Sequence, residues 1–262
     1  MVGIRASLIL AVASSLALAA PGCSRPAAPT QPVAQPQPGP PTAGPVAANP
    51  KVGAVFQGAT ELHTCSGSVL HSGSGNLILT AAHCLVGGIN TTFVPGFAGN
   101  YAPANAWQIE AVYLDPRWLS AMDPLADYAI ARVRRDAPGT LESQVGGGLT
   151  VGTAPPNGTA VTITGYPRGV GGSPIGCQAT TSTGPRGFPS LHCGELVAGT
   201  SGSGWMSGSS VIGLIGGLDG GGCMEHVSYS PPFDGKVTEL LARAEQGRVA
   251  DVPPRDFDDN CS

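Results

Sequence analysis

The residues able to do chemistry in this chain fall in three short stretches. Gly199-Thr200-Ser201-Gly202-Ser203 holds a serine between glycines, which suits a tight turn presenting one hydroxyl and aiming backbone N–H groups at a common point. A serine hydroxyl is a weak nucleophile and needs a general base beside it. Thr80-Ala81-Ala82-His83-Cys84 supplies a histidine, whose pKa near neutrality lets it take a proton and return it. Asp127-Tyr128-Ala129-Ile130-Ala131 supplies a carboxylate that can hold the imidazole tautomer and stabilise the imidazolium. Together they describe acyl transfer through a covalent serine intermediate.

Other residues of the same types are weaker candidates. His63, His71, His192 and His226 have no motif around them and read as surface or loop residues. Asp123 precedes Pro124 and lacks the apolar strand that follows Asp127. Of Ser201, Ser203 and Ser207, only Ser201 has glycine at both −2 and +1, and Trp205 reads as packing beneath the turn. The cysteines and histidines show no close paired spacing, so no metal or other cofactor is expected.

The elements around these stretches are short strands. The 262 residues include 39 glycines and 25 prolines but only 11% charged residues, a composition of many turns and few long helices. Val52 to Phe56, Ser66 to Leu70 and Asn76 to Thr80 read as strands, the last running straight into His83. Trp107, Ile109, Ala111 and Tyr113 alternate with Gln108 and Glu110, the period of a half-buried strand. Asp127 opens a further strand, and Thr159 to Gly165 and Val211 to Gly217 are the clearest after the Gly146-Gly147-Gly148 link. Val237, Leu240, Leu241 and Ala244 then change to helical spacing, with Asp234 to cap the helix and Gly247 to stop it.

The ends have different compositions. Residues 1–22 carry Arg5 and an apolar run from Leu8 to Ala20, the pattern of an export signal. Ala20-Pro21-Gly22-Cys23-Ser24 resembles a bacterial lipobox with Cys23 as the lipidated residue, while Ala17-Leu18-Ala19 offers a competing ordinary cleavage site. From Ser24 to Pro50 nine of 27 residues are proline and none is aromatic, so residues 23–50 read as an extended tether. A folded domain is expected over 51–247, and 248–262 as a polar, acidic tail. The net charge of −4 gives no basic patch for nucleic acid.

Taken in order, His83, Asp127 and Ser201 with their flanking residues resemble the trypsin/chymotrypsin-type serine peptidases over about 51–246. The likeness is to bacterial secreted members, including the glutamyl-endopeptidase-like branch. It implies an all-β fold of two packed six-stranded antiparallel barrels with a C-terminal helix, the N–H groups of Gly199 and Ser201 as an oxyanion hole, and a monomer acting on protein or peptide. It implies the Cys65–Cys84 bridge beside the histidine; Cys177–Cys193 would brace the loop before Ser201, and Cys223–Cys261 follows by remainder. Cys23 is then unpaired, in accord with a lipid anchor to the membrane. A tethered binding module with an inactive fold, or an esterase with the same triad, are the alternative readings.

Two departures bear on activation and specificity. Trypsin-type zymogens carry an aspartate at the position of Thr200, so an activating cut at Lys51-Val52-Gly53 would meet no carboxylate. The segment of Ile215, Gly216 and Gly217 is expected to line the specificity pocket, and glutamyl endopeptidases carry a histidine where Ile215 falls. Cleavage after glutamate is therefore disfavoured. Glu195 falls where trypsin-type enzymes place the acid at the pocket base; it is either that acid, favouring basic residues before the scissile bond, or a solvated loop acid.

Overall fold

The first sheet closes on itself. In the computed structural model, which describes residues 39–258 except Ala59 and Glu225, β1 is Gly44–Pro45, β2 Val52–Gln57, β3 Leu62–Leu70, β4 Leu77–Thr80, β5 Thr91–Pro95, β6 Trp107–Leu114 and β7 Ala129–Arg134. Antiparallel pairing runs β3-β2-β5-β6-β7-β4, and β3 also pairs β4, so six strands form a closed barrel. Closure buries the strands on both faces wherever barrel and neighbouring elements pack together. All four residues of β4 are buried, as are the first five of β2. That is why these strands read as apolar runs and not as alternation.

The second sheet contains β8 (Thr150–Val151), β9 (Ala160–Gly165), β11 (Ile175–Thr183), β12 (Pro189–His192), β13 (Gly204–Ser207), β14 (Ser210–Leu214) and β15 (Val227–Tyr229). Its order is β15-β12-β11-β9-β13-β14-β8, with β8 added parallel to β14, while β10 (Gly169–Val170) pairs with β3 of the first barrel. The fold is therefore the expected chymotrypsin-like one, with the second barrel incomplete as a hydrogen-bonded cylinder. Its open seam is bridged beyond β14 by the Gly216 N–H donating to the Tyr229 carbonyl at 3.1 Å.

Residues 39–50 belong to the folded unit that the sequence reading starts at Lys51. β1 pairs Gly44 with Gly176 and Pro45 with Ile175, and Ala43 N–H donates to the Gly194 carbonyl at 2.8 Å. Residues 39–50, assigned above to the tether, are thus an added edge of the second sheet, a place where proline's missing N–H is tolerated. Residues 1–38, with the signal and Cys23, lie outside the described residues. Among those described, no helix is long and apolar enough to cross a membrane.

Three α-helices among the described residues complete the unit: α1 Pro116–Ala121, α2 Leu141–Val145 and α3 Gly235–Glu245. α3 is capped by Asp234, whose side chain accepts from Lys236 N–H, and buries Val237, Leu240 and Ala244 against the main core. The chain beyond it is not a free tail. Asp251 N–H donates to the Val112 carbonyl and its carboxylate accepts from Leu114 N–H, both at 2.8 Å, and from Arg243.

Candidate active site

β4 brings Thr80 to the barrel rim, where the chain turns into a short 3-10 helix, Ala82–Leu85. Cys84 in that helix is disulfide-bonded to Cys65 on β3, which pins the turn carrying His83. Asp127 follows another short helix, Pro124–Ala126, capped by the Asp123 side chain accepting from Leu125 N–H. Asp123 is a cap, and Asp127 is delivered just before β7.

Asp127 is fully buried, and its carboxylate accepts from three N–H groups. Oδ1 accepts from His83 backbone N–H at 3.0 Å; Oδ2 accepts from Gly217 N–H and from the His83 ring at Nδ1, both at 2.8 Å. A carboxylate only accepts, so the proton must sit on Nδ1, leaving Nε2 as the acceptor facing the cleft.

The serine turn is clamped between the two sheets. Ser66 of β3 donates its N–H to the Ser201 carbonyl at 2.8 Å and its hydroxyl to the Gly199 carbonyl at 3.0 Å. Gly202 N–H donates to the Ile215 carbonyl at 2.7 Å, and the buried Thr200 hydroxyl donates to the Val197 carbonyl at 2.8 Å. Gly199 has φ +96°, and a Cβ there would lie 2.1 Å from Arg168 N, so only glycine fits. Thr200 N–H is used within the turn, whereas those of Gly199 and Ser201 take no partner among the described residues.

Ser201, Gly199 and His83 line one cleft of about 400 Å³. No hydrogen bond joins His83 to Ser201, a separation common in unliganded sites. Leu196, Val197 and Ile215 form the apolar side of the same cleft.

Glu195 is not at the base of this pocket. It is exposed at φ +62° and follows Gly194, which is held by the edge formed at Pro41 and Ala43, so its side chain turns outward. Of the remaining pocket residues, Ile215 lines the Ser201 cleft, Gly216 packs against Asp127 and Gly217 lines an adjacent depression. His63 also departs from the sequence reading: it is buried among Phe56, Phe97 and Tyr166, with Nε2 at 2.8 Å from the Gly171 carbonyl. His71 pairs with Glu142, while His192 and His226 are exposed. Val52, the residue an activating cut would free, is buried in β2 with its N–H donating to Asn49.

Cys65, His83 and Cys84 place ligand-type atoms within 4.8 Å of one another, but the two sulfurs are joined to each other and offer no thiolate. The Cys177–Cys193 bridge is also present. Cys223 is disulfide-bonded, and Cys261 lies outside the described residues. Sequence reasoning missed Phe257, whose ring stacks on His83 with centroids 4.7 Å apart and planes 14° apart. A lone aromatic in an otherwise polar tail was the signal available.

A closed barrel and a curved sheet holding a carboxylate–histidine pair beside a glycine-flanked serine define the chymotrypsin-like class. The Trypsin family profile matches residues 44–184, more than half of the chain, and the chain belongs to that family of serine endopeptidases. Among solved structures, thermostable serine protease AL20 from an extremophilic microorganism is 22% identical, with TM-score 0.64, covering 76% of this chain and 98% of its own. Protease Anisep from Arthrobacter nicotinovorans is 21% identical, with TM-score 0.66, covering 78% and 100%. A Glu endopeptidase is 16% identical, with TM-score 0.62, covering 79% and 98%. A mutant of human heparin binding protein is 15% identical, with TM-score 0.58, covering 79% and 95%. No curated protein matches the chain by sequence.

Proposed function

We propose that this chain is an exported serine endopeptidase cleaving peptide bonds through an acyl-enzyme on Ser201. The observation that carries the proposal is the His83 ring held through Nδ1 by buried Asp127, with its other nitrogen left for the cleft that Ser201 lines. His83 Nε2 takes the Ser201 proton as Oγ attacks the carbonyl carbon, then gives it to the leaving amine. Water repeats the sequence to release the acid. The N–H groups of Gly199 and Ser201 meet the developing oxyanion, and no cofactor enters any step.

The heparin-binding neighbour raises the alternative of a binding module. A net charge of −4 makes this chain a poor partner for a polyanion, so catalysis is preferred. With Glu195 turned outward, a preference for basic residues before the scissile bond loses its ground. Leu196, Val197 and Ile215 favour an apolar side chain against their part of the cleft, whose lining also carries Arg168 and Asp219. The test is a peptide library digested with wild type and Ser201→Ala, with cleavage sites read by mass spectrometry. Wild-type cleavage after apolar residues, absent in the variant, is expected. Hydrolysis of esters but no peptides would favour the esterase, and equal products from both proteins would end the enzyme reading.

Disulfides persist in oxidising compartments, in keeping with export. We place the protein, as a monomer, on a membrane through lipidated Cys23. Cys23→Ala should shift it from the membrane fraction to the soluble one; unchanged fractionation would contradict the anchor. A Cys223–Cys261 bridge would secure the end of the chain near the cleft.

A further inference from the structure

Phe257 is neither a core residue nor a loose one. Asp251, six residues earlier, is fixed to β6 by its N–H and carboxylate, and Pro253 and Pro254 stiffen the chain between. The ring then lies over His83 and tilts against the buried Trp118 of α1, with centroids 5.5 Å apart. Beneath it the His83 side chain is only 11% exposed.

The ring is also a partition. It lines the cleft of Ser201 and, on its other side, a depression of about 360 Å³ lined by Trp118, Met122, Pro124 and Gly217. A peptide with its scissile carbonyl at Ser201 advances about 3.3 Å per residue in extended form. On the side of Ile215 to Gly217, the expected pocket for the residue whose carbonyl is attacked, the preceding residue lies one such step further from Ser201, toward the depression that Gly217 and Phe257 both line. The apolar face that a side chain would cover there is already taken by Phe257.

Resting on the serine-peptidase reading, we infer that Phe257 is a specificity-determining residue: it restricts the substrate position next to the scissile residue to glycine or alanine. A branched or aromatic side chain at that position has to displace the ring from both His83 and Trp118. The cleft that Ser201 and the ring share stays open at about 400 Å³, so the ring narrows one subsite and leaves the nucleophile accessible.

The test uses the full chain as wild type, Phe257→Ala and Phe257→Leu, with peptides differing only at that position as Gly, Ala, Val or Leu. For wild type, kcat/KM should fall by about tenfold or more from Gly to Leu, chiefly through KM. Phe257→Ala should shrink that ratio by about tenfold, and Phe257→Leu should lie between. An unchanged ratio in both variants overturns the inference. So does an equal gain for all four peptides, which would make the tail a plug. Fluorophosphonate titration separates the two levels: labelled enzymes with unchanged ratios sink only this inference, whereas an unlabelled wild type sinks the peptidase reading as well.

Discussion

Asparagine at position 127 keeps the shape of the aspartate and removes its charge. In the native site both oxygens accept: Oδ1 from His83 N–H, and Oδ2 from His83 Nδ1 and Gly217 N–H. An amide can satisfy only part of this. With its oxygen at the Oδ2 position it serves the ring and Gly217, but its NH2 then faces His83 N–H. Flipped, its NH2 donates to Nδ1 and collides with Gly217 N–H. Each orientation satisfies two groups and opposes one, so both are populated. The flipped form puts the ring proton on Nε2, where it cannot accept the serine proton.

The charge adds a second loss. At 2.8 Å the carboxylate stabilises a developing imidazolium by about 6 kcal/mol at an effective dielectric of about 20. At 1.36 kcal/mol per tenfold this is a fall in kcat of about 10⁴. The assay is steady-state hydrolysis of a peptide found in the library screen, with circular dichroism to confirm folding. A folded Asp127→Asn enzyme within tenfold of wild type would refute the reasoning.

Two further outcomes follow from the same geometry. Gly199→Ala should lower kcat by at least about 10² in a soluble protein, because Cβ collides with Arg168 N and turns the N–H away from the oxyanion; wild-type kcat would contradict this. Asp115 caps α1; burial pushes its carboxyl up, but hydrogen bonds from Arg117 and Tyr128 prevail and hold it down at about 2, below the ordinary 3.8. The unfolded chain then takes up its proton first, so about 2 kcal/mol of stability is present above pH 4 and fades as pH falls through about 2. Wild type should exceed Asp115→Asn by that amount at pH 7 in chemical unfolding, and the gap should shrink to well under half at pH 2; a constant gap would refute the assignment.

Much of the site could be read from local sequence, since its parts sit where strands end. Leu77-Ile78-Leu79 leads into His83, the strand after Asp127 is apolar, and the glycines at 199 and 202 mark the turn. Asp234 and the i, i+3, i+4, i+7 spacing of α3 were equally legible. What escaped depends on long-range placement. Proline-rich composition hid β1, because its pairing with Gly176 and Ile175 comes from a strand 130 residues away by the register. Glu195 was aligned by position, but the edge at Pro41 and Ala43 sets its backbone. Phe257 acquires meaning only once Asp251 docks on β6. The Gly217 N–H on Asp127 is a backbone contact that no side-chain pattern announces.

Catalysis by this site requires Ser201 as the nucleophile and His83 to activate it. The direct measurement is intact mass of the protein after fluorophosphonate treatment, followed by peptide mapping, for wild type, His83→Ala and Ser201→Ala. One adduct per wild-type chain is expected, on Ser201, with slow or absent labelling in His83→Ala and none in Ser201→Ala. An adduct on another serine, or labelling that persists in Ser201→Ala, would contradict it.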